Sequence, residues 1–347
     1  MSATQLQERG AGSREEVAAA RAARSAARDA LVARLASPGL SGEEKGWARC
    51  EYIHAYGRLP FQCGGCWLLP GFCICARMRR AAPASTKVVV HFHPDEWAKG
   101  ARTRRMCARR RRRRRCTTSR DGGGAGGGSR RRSARARGAG SNTGSLCRSL
   151  AGAELLMRGH RPHDERLAEL LNDGATVAML WPGPDALEPE QLRALADERS
   201  GGRIVLLAID ATWDGARRMK GKYPPSVLTL RLPAHMVLPG AGERGAREGA
   251  DGAAAGGGGG TGGAGRAPVS VKDVPPAGGA SLFSPLRKYA GSAAERVCTA
   301  EAVASALLAL EGPSPASSDM AQALLHNLKL KVNAMRAQKH MATVYDV

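Results

Sequence analysis

Three short runs in this chain are apolar almost without a break, and stretches of helical character separate them. Residues 87–92 (KVVVHF) form a β-branched run bounded by Pro83 and Pro94 and read as a buried strand. Residues 175–181 (ATVAMLW) and 203–209 (RIVLLAI) read the same way, the former ending in the turn Pro182-Gly183-Pro184. Residues 227–232 (VLTLRL) suggest a fourth strand. Helices are expected at 188–199, at 213–222 before Pro224-Pro225, at 299–310 with Thr299 as N-cap, and at about 319–341. Leu146, Leu150, Leu155 and Leu156 recur at roughly helical spacing and predict one more helix, capped by Ser141. Such alternation argues an α/β fold, a mostly parallel sheet with helices on both faces. Ligands of these sheets sit at the carboxyl ends of strands. Residues 181–185 and 210–213 are both at such ends.

The chain has 347 residues, but not all of them can enter a core. Glycine and alanine crowd into 121–140 and 240–265, which hold almost no large apolar side chains. Segments of that kind bury too little surface to offset a chain entropy of about 1–2 kcal/mol per residue. Two disordered Gly/Arg-rich insertions are therefore expected, at about 101–140 and 236–275. The implied organisation is a helical or disordered extension (1–49), a cysteine segment (50–80) and one main domain (81–341). The net charge is +22, yet residues 102–137 carry 16 arginines against the single acid Asp121. The rest of the chain has only a mild basic bias, so the arginine tract supports nucleic acid as a partner weakly. No run approaches the ~18 apolar residues of a membrane span. No secretory core is visible, and Glu8, Glu15, Glu16 and Asp29 are unlike an organelle transit peptide. A cytoplasmic or nuclear protein is expected, with organelle targeting left open.

Nine cysteines without a secretory signal point to metal or free thiols. Cys63-x2-Cys66 and Cys73-x-Cys75 flank the turn Leu69-Pro70-Gly71 and suit tetrahedral Zn2+, a closed structural site. Cys50 is a possible substitute ligand. His91 and His93 alternate on one strand, but no third ligand has matching spacing, so a structural or substrate-contacting role is expected. The Gly-rich runs lack Gly-Lys-Ser/Thr and do not join a strand to a helix, which excludes a phosphate loop.

Asp210-Ala211-Thr212-Trp213 is the other chemical feature. A carboxylate at a strand end faces the expected crevice, Thr212 can cap the next helix, and Trp213 offers a π-face to a base. Arg217, Arg218, Lys220 and Lys222 follow as a basic face suited to phosphates. The plainer alternative is a capping Asp210, a core Trp213 and solvated cations.

These pieces together resemble the DTW-domain family, the tRNA-uridine aminocarboxypropyltransferases. Asp-x-Thr-Trp at 210–213 matches the motif that names it. The four-cysteine knuckle, His93-Pro94-Asp95-Glu96, Asn142-Thr143-Gly144, Trp181-Pro182-Gly183, Arg287 and Cys298-Thr299-Ala300-Glu301-Ala302 fall in the family's order. The match departs where an insertion splits His93-Pro94-Asp95-Glu96 from Asn142-Thr143-Gly144, where Cys298 replaces a serine, and where Phe283 replaces a tyrosine. The resemblance implies a SPOUT-like fold, one that can carry a C-terminal knot, with S-adenosylmethionine as donor and tRNA as acceptor. It implies transfer of a 3-amino-3-carboxypropyl group to N3 of a uridine, leaving methylthioadenosine. It further implies catalytic roles for Asp210, Thr212 and Trp213. Contacts to the donor would come from Asn142, Thr143, Gly144, Pro182, Gly183, Arg287, Thr299 and Glu301, with Glu301 alternatively a helix cap. A SPOUT-like RNA methyltransferase and a noncatalytic zinc- and RNA-binding protein remain the rival readings.

Overall fold

The computed structural model describes residues 14–58, 62–83, 85–98, 142–232, 281–286, 297–312, 314–339 and 341–347. Ser141, Arg287 and the segments at about 101–140 and 236–275 lie outside the described residues. Five strands form one all-parallel sheet: β1 (Thr86–Phe92), β2 (Glu154–Met157), β3 (Thr176–Leu180), β4 (Ile204–Asp210) and β5 (Leu228–Leu230), in the spatial order β2-β1-β4-β3-β5. The fold is α/β with helices on both faces, as the alternation of patterns implied.

Strand periodicity sorts the side chains. Val88, Val90 and Phe92 of β1, with Ile204, Leu206 and Ala208 of β4, enter the main core. That face is covered by α5 (Pro189–Ser200), α7 (Thr299–Glu311) and α8 (Pro315–Ala337). The alternate residues Val89, Val177, Val205 and Leu207 meet Leu167 and Leu170 of α4 (Arg161–Asn172) on the other face. By the same count Asp210 belongs to the main-core face and His91 to the opposite one.

Two expectations need correction. No α-helix starts near residue 146: Gly144–Ser149 is a six-residue 3-10 helix and β2 follows it. Gly152, at φ +72°, breaks the chain between them, and Leu146 and Leu156 enter different clusters. Cys298, not Thr299, is the N-cap of α7; its N–H donates to Glu301 Oε2 at 2.7 Å. Helix α4 was not anticipated, nor was α2 (Gly42–Tyr56), which packs beneath α1 (Arg14–Ala36). No helix among the described residues is long and apolar enough to cross a membrane.

Helix α2 is joined to the domain by rings. His54 stacks on Trp97 and lies nearly parallel to His160, at 3.9 Å and 20°, while His163 meets it edge-on. The nitrogens of the three histidines lie within 4.8 Å of one another. They form a stack rather than a metal site: two parallel rings cannot both aim in-plane lone pairs at one ion. In addition, His163 Nδ1 accepts from the Met157 N–H at 2.9 Å, which leaves its proton on Nε2.

Burial lowers His54 and His163 to about 4 and lowers His160 as well, against Glu51, Asp164 and Glu154, which pull upward. A folded chain that refuses protons accepted by the unfolded chain near pH 6.5 is stabilised above that value and loses stability as pH falls towards 4. The urea midpoint should therefore fall over that window, and His54→Phe should flatten the slope. Identical slopes in the two proteins would remove the stack as the cause.

Candidate active site and metal centre

β1 and β4 end side by side, with Phe92 in register with Asp210. The Asp210 carbonyl accepts the His93 N–H at 3.0 Å, so the ladder runs one step beyond β1. The carboxylate of Asp210, 7% exposed, accepts the Gly144 N–H on Oδ2 at 2.9 Å. This approach requires glycine, because a Cβ on residue 144 would stand 2.4 Å from Oδ2 and 2.9 Å from Val90 Cγ1. The motif pieces at 142–144 and 210–213 are thus one unit in space.

Asn142 is 2% exposed, and its Nδ2 donates to the Glu96 carbonyl at 3.4 Å. Its Oδ1 is buried and accepts no hydrogen bond among the described residues. Such an acceptor carries a penalty of about 1–3 kcal/mol unless a donor arrives. Thr143 stands at the start of the 3-10 helix without a side-chain cap, and Cys298 is buried. Thr212 caps α6 (Trp213–Lys220), its Oγ1 accepting from the Gly215 N–H at 3.2 Å. The helix N-terminus therefore opens beside Asp210.

Trp213 is 39% exposed and meets Trp181 edge-to-face at 5.9 Å. Lys220 Nζ sits 5.5 Å over the Trp181 ring. Trp181, just past β3, and Trp213, opening α6 after β4, thus share one rim. Pro182 is exposed there, and Gly183 leaves ordinary van der Waals space. Arg217 pairs with Asp214 at 2.5 Å, Arg218 is exposed, and Lys222 lies past the helix end. Glu301 is buried and accepts from the Ser281 hydroxyl and the Leu282 N–H, each at 2.6 Å, besides its own cap. Thr299 opens α7, and Arg287 lies outside the described residues.

His91 and His93 take separate partners. His91 Nδ1 hydrogen-bonds the Tyr223 hydroxyl, and burial holds the ring neutral, down at about 3. His93 caps α3 (Pro94–Trp97), its Nδ1 accepting from the Asp95 N–H at 3.1 Å.

The four cysteines converge as their spacing implied. Cys63 Sγ lies 3.4 Å from both Cys73 and Cys75, and Cys66 lies 3.8 Å from Cys73. Thiolates about 2.3 Å from zinc have tetrahedral edges of about 3.8 Å, so the donor set fits the ion. Burial works against the Cys63 thiolate, but the N–H groups of Cys66 and Gly65 and the neighbouring thiols bring it down to about 6. Gly65 is packed so closely that a Cβ would lie 2.7 Å from Cys75 Sγ. Cys50 lies elsewhere, its Sγ against Gly159.

Two buried polar residues of α8 escaped the sequence reading. Asn327 donates to Ser149 Oγ and to the Arg79 carbonyl, and Lys331 donates to the Asn142 carbonyl and to Ser145 Oγ. The available signal was a lysine at position 331 in the stripe of Leu324, Leu328 and Met335, where a core residue belongs.

The DTW domain family matches residues 60–336 of the chain. No curated protein and no solved structure matched it.

Two outcomes follow from this packing. Gly144→Ala should displace Asp210 and lower stability by roughly 1–3 kcal/mol, read from urea unfolding; an unchanged midpoint would mean that the turn yields freely. Elemental analysis should find about one zinc per chain, lost in Cys66→Ser. Zinc retained by that variant would place the ion elsewhere.

Proposed function

The chain belongs to the DTW-domain family of tRNA-modifying enzymes, and on that premise we propose that it is a tRNA-uridine aminocarboxypropyltransferase. In this reading the donor is S-adenosylmethionine and the acceptor is N3 of a tRNA uridine. The observation that carries it is the docking of the Asp210 carboxylate on the Asn142-Thr143-Gly144 turn beside an exposed Trp213. These are the reactive elements the family motif names, drawn to the strand ends where α/β sheets bind ligands.

The reaction requires N3 to lose its proton and to attack the methylene next to the sulfonium. The new N–C bond forms as the C–S bond breaks, and the thioether leaves as methylthioadenosine with the sulfur's electron pair. Asp210 orients N3 or takes its proton, with one oxygen already fixed by the Gly144 N–H. Asn142 Oδ1, a buried acceptor awaiting a donor, suits the amino group of the methionine portion. The Trp213 and Trp181 rim suits a flat base, and Thr212 holds the helix N-terminus in place. Arg218, Lys220 and Lys222 would meet phosphates of the tRNA, and Arg217 is tied to Asp214. Pro182 and Gly183 would shape the rim, while Thr143 and Thr299 stand at the starts of the 3-10 helix and of α7. Glu301 supports the pocket as a cap and as the anchor of residues 281–282. Zinc, when bound by Cys63, Cys66, Cys73 and Cys75, is structural: it crosslinks the knuckle and leaves no open coordination position.

The test is nucleoside mass spectrometry of tRNA incubated with the protein and S-adenosylmethionine. The expected product is a uridine gaining the acidic aminocarboxypropyl group. Asp210→Asn should reduce transfer by about a hundredfold or more while tRNA affinity stays within about twofold. A gain of one methyl group, or full transfer by the variant, would overturn the reading.

A further inference from the structure

Lys331 is 0% exposed, and a buried ammonium is among the least tolerated groups in a protein interior unless its protons are matched. Two of them are matched by one short segment. Nζ donates to the Asn142 carbonyl at 2.5 Å and to Ser145 Oγ at 2.6 Å, and Ser145 Oγ in turn donates to the Asn142 carbonyl at 3.2 Å. The ammonium therefore closes the first bend of the turn from behind. On the other side of that bend, the Gly144 N–H holds Asp210 Oδ2.

We propose that Lys331 is a positioning residue for the transfer reaction, fixing the Asn142–Ser145 bend so that Gly144 N–H and Asn142 Oδ1 face the reacting groups. The inference rests on the transferase reading given above. It differs from ordinary core support, because Asn327 already supplies that one helical turn earlier by tying Ser149 and Arg79 together. If scaffolding were all that was needed, leucine at position 331 would pack at least as well between Leu328 and Met335, without the desolvation penalty. Among the described residues, the hydrogen bonds of the ammonium go to this bend alone. Burial lowers the ammonium to about 8, while Cys66 and Asp210 pull it upward.

Lys331→Met keeps the length of the side chain and removes the donors. Its kcat should fall by about tenfold or more, with KM for tRNA within about twofold and zinc content unchanged. Amide exchange should quicken across residues 143–149 and stay as in the parent on β1 and β4. Asn327→Leu, the control on the same helix, should lower the unfolding midpoint and leave kcat within about twofold. The proposal is overturned if Lys331→Met retains full kcat, or if both variants lose activity only in proportion to stability. Should Lys331→Met fail to fold, Ser145→Ala removes one acceptor and should still lower kcat; a silent Ser145→Ala would then count against the proposal. If the parent protein transfers nothing to tRNA, the transferase reading fails. The exchange comparison would then judge by itself whether Lys331 holds the bend.

Discussion

The pairing of β1 with β4 is the constraint on which the site depends. Their register runs from Thr86 opposite Ile204 to Phe92 opposite Asp210, seven matched residues at the centre of the sheet. A parallel ladder slipped by one residue would turn Asp210 to the opposite face, towards the cluster of Val205 and Leu207, and leave Gly144 without its acceptor. Register is held by two unlike faces, each filled by its own helices, so the apolar alternation of β4 also aims its terminal carboxylate. Buried packing and chemical placement are here the same specification.

The sheet was legible in the sequence because every central strand is an apolar run of strand length closed by Pro, Gly or a polar turn. The strand-end location of Asp210 followed from that pattern, and so did the convergence of the cysteines. What escaped had a physical cause in each case. Leu146 to Leu156 carries an i, i+4 spacing that mimics a helix, but the leucines serve separate clusters on either side of Gly152. Thr299 is a better capping type than Cys298, yet Glu301 reaches back to the Cys298 N–H and moves the cap by one residue. Lys331 and Asn327 interrupt the apolar stripe of α8, but nothing local names the groups that draw them inward. Their partners lie almost 180 residues or more away along the chain.

The distribution of charge changes which part of the molecule bears on RNA. Most of the formal charge sits in the arginine tract of 102–137, outside the described residues. At the strand ends two of the four cations are engaged: Arg217 with Asp214, Lys220 with the Trp181 ring. Two tryptophans and a buried carboxylate give this rim a chemical character that charge count alone does not convey.

The order in which the strands pair has a consequence for how the protein comes into being. β1 leaves the ribosome roughly 120 residues before β4, its central neighbour, and at about 5–20 residues per second that interval is on the order of ten seconds. Until β2 emerges, about midway through it, a strand apolar on both faces has no partner strand. The helix that carries Lys331 emerges later still, so the bend against Asp210 is among the last features to be secured. A chain interrupted before α8 would carry Asp210 and Gly144 without the ammonium that closes the bend behind them.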